Sequence, residues 1–282
     1  MHQAVLLNEI VAGLELKGQE GAVILDCTFG SGGHSRAILK EYPGARVIAL
    51  DADAAVESDD ARIELHHVNF RNLDKAIHDS VEAVIFDLGL STDQLENSGR
   101  GFSFQRDEPL RMTFKQQPTE DDLTARDVVN GWSEESLEKI IRGYGQERFA
   151  RKIARAIAAA REKKEIETSG ELAAIIKEAV RTRGKIHPAT KTFQALRIAV
   201  NDELGALAEG LGKGFAALSS GGMMGVISFH SLEDRIVKKF YRQKAKEDQA
   251  ILITKKPITP TIEEIKNNPR SRSAKLRILI KK

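Results

Sequence analysis

The chain has 282 residues, 41% hydrophobic and 30% charged, a balance that fits a folded globular protein and excludes a disordered one. No apolar run approaches the roughly eighteen residues needed to cross a bilayer, Met1 to Glu9 lack the basic and apolar regions of a secretion signal, and the single cysteine, Cys27, excludes an intramolecular disulfide and a cysteine-rich zinc site. No membrane role is expected, and the reducing cytoplasm is the expected compartment.

The net charge of +2 hides an uneven distribution. From Lys238 to Lys282 there are 14 Lys and Arg against 4 Asp and Glu, which is +10 and leaves −8 for the rest. Such a segment is either a solvated surface or a contact for a polyanion, most often nucleic acid.

The first element expected is a strand at Ala22–Leu25, ending in Asp26 and followed by Cys27-Thr28-Phe29-Gly30-Ser31-Gly32-Gly33-His34, with a helix starting near Ser35. An acid, a glycine-rich turn and a helix start form a ligand loop, because glycines adopt unusual φ values and let a ligand approach the backbone. The next strand, Arg46–Leu50, ends in Asp51, 21 residues after Gly30. A carboxylate at that place can accept both ribose hydroxyls of an adenosine group. The dinucleotide fingerprint needs glycine where this chain has Ser35, and no P-loop Gly-Lys-Ser/Thr is present. An acid closing the first strand suits a ligand with a cationic centre, as S-adenosylmethionine has in its amino group and sulfonium.

Strands are expected next at Arg62–Val68 and Ala83–Phe86, the latter ending in Asp87. An acid at that strand's carboxyl end faces the cleft beside the cofactor loop and can accept an N–H, from the methionine amino group or from a substrate amine. The sequence disfavours methylation at a pyrimidine C5, because that reaction needs a thiolate on the far side of the base and Cys27 lies under the cofactor turn.

The alternation of strands and helices then breaks. Asn97 to Phe104 interleaves Gly, Arg and Phe in a loop that could stack on bases or anchor to the core. Helices are expected at Leu123–Asn130, Ser133–Arg142, Glu147–Lys163 and Ser169–Arg181. In the third, Phe149, Ile153, Ile157 and Ala160 form an apolar stripe, and Arg148, Arg151, Lys152 and Arg155 recur on another face. An inserted helical subdomain fits this stretch better than a long loop. His187 to Arg197 reads as a loop entering one long helix, Thr192–Leu218. The sheet resumes at Met223–Phe229, followed by His230, a candidate for the cleft, and by Ser231 with Asp234, which reads as a helix N-cap pair. A helix at Leu232–Lys246 and strands at Ile251–Lys255 and Lys275–Ile280 complete the chain. Arg270, Arg272, Lys275 and Arg277 are expected to contact phosphate.

Taken together, these motifs resemble the bacterial 16S ribosomal RNA cytosine-N4 methyltransferase family. The likeness covers His2 to Glu9, Asp26 to Ser35, Asp87 to Gln94, Arg100 to Phe104, His187 to Ile198, Ser228 to Arg235 and Asn268 to Arg277. Phe-His-Ser-Leu-Glu-Asp-Arg and Asn-Pro-Arg-Ser-Arg-Ser-Ala-Lys-Leu-Arg are long, unusual strings. The resemblance implies an α/β fold: a class I, Rossmann-like methyltransferase sheet, mostly parallel with an antiparallel C-terminal edge, plus an inserted all-helical subdomain. It implies a methyltransferase domain at 1–104 and 192–282, with a helical substrate-recognition subdomain at 105–191. It also implies S-adenosylmethionine contacts at Gly32, Gly33, His34, Asp51, Phe70, Asp87 and Gln94, a catalytic role for Asp87, no metal, and 16S ribosomal RNA in the small subunit as partner. The family's Gly-Pro-Leu-Asp-Met-Arg-Met reads Glu108-Pro109-Leu110-Arg111-Met112-Thr113-Phe114 here, which places the departures, Arg111 and Thr113, on the substrate side. The alternative is a non-catalytic RNA-binding or assembly protein that keeps the cofactor fold.

Overall fold

The computed structural model describes residues 4–14, 21–181 and 187–282. His2, at the head of the first resembling segment, lies outside the described residues. In chain order the elements are α1 (Leu7–Gly13), β1 (Val23–Asp26), α2 (Gly33–Glu41), β2 (Arg46–Leu50), β3 (Ile63–His66) and β4 (Val81–Asp87). Then come α3 (Thr92–Glu96), α4 (Ala125–Gly131), α5 (Glu134–Gly143), α6 (Ala150–Arg161), α7 (Ser169–Val180), α8 (Thr190–Asn201) and α9 (Glu203–Ala217). The chain ends with β5 (Leu218–Ser228), α10 (Ser231–Lys246), β6 (Ala250–Leu252), α11 (Ile262–Asn267) and β7 (Lys275–Lys281). It divides into two compact units, Met1–Gly89 with Leu204–Lys282, and Leu90–Glu203. The second unit contains the whole stretch 105–191 and extends past it at both ends.

The first unit is a seven-stranded sheet in the order β3-β2-β1-β4-β5-β7-β6. Neighbours from β3 to β5 run parallel, and β7 is antiparallel to both β5 and β6. This is the class I methyltransferase sheet. Its strands read as unbroken apolar runs because both faces are covered. Ile24, Ala83 and Ile85 point into one buried cluster, whereas Leu25, Val84 and Phe86 point into the other. The chain leaves β1 toward β2 and β3 and returns to β4 on the other side of β1. The order of strands therefore reverses between β1 and β4, and ligands of such sheets bind outside the carboxyl ends at that reversal.

The second unit is helical around its own core, where Ile153 and Ile157 of α6 meet Leu172 and Ile176 of α7 and Leu137 and Ile141 of α5. Three of its four expected helices are shorter than the periodicity predicts, and α5 has the expected length. The single long helix expected at Thr192–Leu218 is two helices, broken at Asp202, whose φ is 45°. Asn201 explains the break. Its side-chain amide donates to the carbonyls of Met112 (2.8 Å) and Arg197 (2.9 Å), and its oxygen accepts from the Phe114 amide (2.9 Å). Arg197 then spans the break with two bonds to Glu203, at 2.7 and 2.8 Å. Side-chain partners distant in sequence, invisible to periodicity, outweigh the local helical preference.

Asn201→Ala removes three hydrogen bonds at once and leaves the Phe114 amide without its acceptor. The expected loss is about 1–3 kcal/mol, with the Phe114 amide exchanging markedly faster than in the unaltered protein. Hydrogen exchange resolved to Phe114 checks this.

Candidate active site

Three carboxylates stand at the carboxyl ends of adjacent strands: Asp26 on β1, Asp51 just past β2 and Asp87 on β4. Asp26 is buried; its Oδ1 accepts from the Thr28 amide (3.1 Å) and its Oδ2 from the Ser35 hydroxyl (2.6 Å). Asp51 accepts from the Gly30 amide (2.7 Å) through Oδ2 and from the Asp53 amide (2.8 Å) through Oδ1. The Asp87 amide donates to the Thr28 hydroxyl (2.6 Å). The glycine loop is thus tied to all three strand ends.

No lysine or arginine ion-pairs with these three acids among the described residues. Burial raises the pKa of Asp26 and of Asp51. Burial also pushes Asp87 up to about 6, with His34 opposing the rise and Asp26 adding to it. Asp87 Oδ2 lies 3.6 Å from His34 Nδ1, while Oδ1 is buried with no hydrogen-bond partner. His34 is itself buried, and its Nε2 sits 3.0 Å from the Val5 carbonyl. A carbonyl only accepts, so the proton of the neutral ring is on Nε2. Nδ1 faces the Asp87 carboxyl, and a proton there gives the ring the charge by which His34 opposes the rise.

Position for position, the glycines do more than admit a ligand. Gly32 has φ 71°, and a Cβ there would come within 2.6 Å of the Phe29 ring; at Gly33 a Cβ would meet that of Ala4 at 2.9 Å. Both are needed first for the loop's own packing. Phe70 opens a 3₁₀ turn, Phe70–Lys75, and packs edge-on against Phe86 at 5.5 Å.

The MraW methylase family model matches residues 1–282. A protein of Persephonella marina named ribosomal RNA small subunit methyltransferase H is 48% identical over 292 residues, 98% of each chain. Namesakes from a Sulfurihydrogenibium species (45% over 292 residues, 98% of each chain) and Limosilactobacillus fermentum (41% over 311 residues, 99% of this chain and 97% of that one) match as fully. The chain belongs to the MraW methylase family. It is a methyltransferase, and S-adenosylmethionine is its methyl donor.

The acids fit that cofactor. An uncompensated group of carboxylates with one buried, unpartnered oxygen suits a ligand bearing an ammonium and a sulfonium, and would repel a pyrophosphate. Of the residues the resemblance assigns to the cofactor, the first unit gathers Gly32, Gly33, His34, Asp51, Phe70 and Asp87. Gln94 belongs to the second unit, where its side chain closes a capping box with Ser91 at the start of α3. Sequence reasoning overlooked Thr28 and Ser35, which orient Asp87 and Asp26. Their hydroxyls, flanking the glycines, were the available signal.

Two expectations about the C-terminal part of this MraW family member need correction. The N-cap of α10 is His230, boxed with Glu233, and not Ser231 with Asp234. Asp234 instead pairs with Arg277 (2.8 Å) and Lys275 (3.6 Å). Lys281 donates to the carbonyls of Phe215 and Ala216 at the end of α9, and Lys282 bonds Asp248. Four of the segment's 14 Lys and Arg, namely Lys275, Arg277, Lys281 and Lys282, therefore serve the fold. Arg270 and Arg272 are exposed in the 3₁₀ turn just before β7.

Burying Asp87 has a thermodynamic signature. Its folded pKa is above the unfolded value, so its protonated form favours folding, and that contribution is lost as pH rises through about 6. Asp87→Asn is expected to stabilise the ligand-free protein at pH 8 by about 1–2 kcal/mol, and not at pH 4. Thermal unfolding at the two pH values measures this.

Proposed function

We propose that this methyltransferase acts on the exocyclic N4 of a cytosine in the decoding centre of 16S ribosomal RNA. The relatives' names support small-subunit ribosomal RNA as the substrate class. The observation that carries the N4 reading is Asp87: a carboxyl at the strand end, pushed up to about 6, with Oδ1 unpartnered. Cytosine's amine is a poor nucleophile because its lone pair is delocalised into the ring. An acceptor that holds its proton favours localisation of that pair.

Cys27 supports nitrogen over carbon as the target. It is 2% exposed, and burial, with Asp26 adding to it, pushes its thiol well above the usual range. A C5 mechanism requires a thiolate.

Gly32, Gly33, His34, Asp51, Phe70 and Asp87 of the first unit would hold S-adenosylmethionine, with Asp51 accepting from the ribose and the acidic group offsetting the cationic centres. When bound, S-adenosylmethionine supplies a methyl group on a cationic sulfur. The protein's part is positioning: Asp87 Oδ1 holds the amine proton, Thr28 and His34 hold Asp87, and the enclosed loop excludes water. The second unit serves RNA recognition, the compartment is the cytoplasm, and the departures at Arg111 and Thr113 bear on the RNA. A non-catalytic assembly role would leave the unpartnered Asp87 oxygen without a use.

Methyl transfer to purified small subunits, followed by mass mapping, is expected to yield N4-methylcytosine in the decoding centre; methyl on C5, or no transfer, contradicts the proposal. Below about pH 6, kcat/KM is expected to fall up to tenfold per pH unit, because the acceptor form of free Asp87 is lost. Asp51→Ala is expected to weaken S-adenosylmethionine by about 1.5–3 kcal/mol in calorimetry, from loss of the ribose acceptor and of the brace on Gly30.

A further inference from the structure

The second unit carries two features that the cofactor site does not use. The first is a stacked pair of rings. His187 lies 4.3 Å from Phe104, ring centre to ring centre, with 17° between the planes, and Phe193 closes the edge of Phe104 at 5.3 Å. Phe193 is buried and Phe104 half-buried, whereas His187 is exposed. The Ala189 amide donates to His187 Nδ1 (3.2 Å), so that nitrogen carries no proton and the ring is neutral. Burial, and then Lys177, lower its pKa and keep it so. An uncharged, flat, exposed ring backed by a fixed phenylalanine is a stacking surface.

The second feature is a groove of 370 Å³ between α6 and α7, floored by Ala156, Ala160 and Ile175 and rimmed by Lys152, Lys163 and Arg181. Glu178 also lines it. None of Lys152, Lys163, Lys177 and Arg181 has an ion-pair partner among the described residues. Arg181, which caps the end of α7 one turn after Lys177, lines the groove, and the charge of Lys177 reaches His187. Cations and ring thus follow one another over one surface, the pattern by which proteins track a single strand: phosphates on the cations, a base on the ring.

We propose that this surface binds single-stranded RNA, with the backbone along Lys152, Lys163 and Arg181 and one unpaired base stacked on His187. The inference rests on the reading of RNA as substrate and adds where the second unit holds it.

The test must separate stacking from the hydrogen bond that His187 accepts from the Ala189 amide ahead of α8. His187→Asn keeps a side-chain acceptor for the Ala189 amide and removes the ring; His187→Phe keeps the ring and removes the acceptor. With the full chain and a fluorescein-labelled oligoadenylate, His187→Asn is expected to bind roughly tenfold or more weakly and His187→Phe within about twofold of the unaltered protein. Lys152→Glu with Lys163→Glu is expected to weaken binding and flatten its dependence on salt. All three are expected to bind S-adenosylmethionine normally. The opposite order of the two His187 variants, an unchanged salt dependence, no binding of the oligoadenylate, or equal binding of inorganic polyphosphate overturns the proposal. Methyl transfer to small subunits, measured alongside, separates the two readings. Transfer with unaffected variants sinks this surface alone, and the expected binding pattern without transfer sinks the proposed reaction alone.

Discussion

The structure turns on three carboxylates, Asp26 buried and Asp51 and Asp87 half-buried, at the carboxyl ends of β1, β2 and β4 with no lysine or arginine paired to them among the described residues. Burial disfavours the charged form of each, and hydrogen bonds with the loop hold the carboxylates of Asp26 and Asp51 and the backbone of Asp87. Thr28 gives its amide to Asp26 and accepts the Asp87 amide, Gly30 gives its amide to Asp51, and Ser35 gives its hydroxyl to Asp26. The loop's path and the acids' positions are therefore one problem with one solution. A sheet ending in neutral residues there would be more stable, and it would have nothing to offer a cationic ligand. Stability forgone at a site before its ligand arrives is the usual sign of preorganisation.

Much of this was legible in the sequence, because buried parallel strands announce themselves as unbroken apolar runs and the acids follow those runs directly. Val84-Ile85-Phe86-Asp87 is such a case: the alternate residues enter two different cores, so no polar position interrupts the run. The sequence was less informative wherever a side chain's partner lies far along the chain. Asn201 breaks a helix for the sake of Met112 and Phe114, and nothing in the local pattern marks it. His230 rather than Ser231 caps α10 because Glu233 reaches back to the amides of Phe229 and His230. The basic tail misled for the same reason: its charge is visible, whereas the acceptors for Arg277, Lys275 and Lys281 are not. The glycines were read as room for a ligand, yet Phe29 and Ala4 already occupy the space at Gly32 and Gly33.

The departures from the family pattern are explained locally. Met112 has φ 53°, and the segment is fixed by backbone bonds: Met112 to the Arg100 carbonyl, and Ala125 to the Arg111 carbonyl. Arg100 donates to the Phe114 carbonyl. The Arg111 side chain is exposed and enters none of these bonds, and buried Thr113 adds only a 3.3 Å contact from the Lys115 amide. The change from an acid to Arg111 thus alters what the second unit presents at its surface while the path of the loop is kept.

Asp87 is held in the free protein as a half-buried carboxyl, its Oδ1 buried and unpartnered, awaiting a cationic partner. Titration of its side-chain carbon by NMR, with and without S-adenosylmethionine, tests this most directly. The account predicts a midpoint near 6 in the free protein that falls by about one pH unit or more on binding. An ordinary carboxylate midpoint in the free protein, or one that does not move when the cofactor binds, would contradict it.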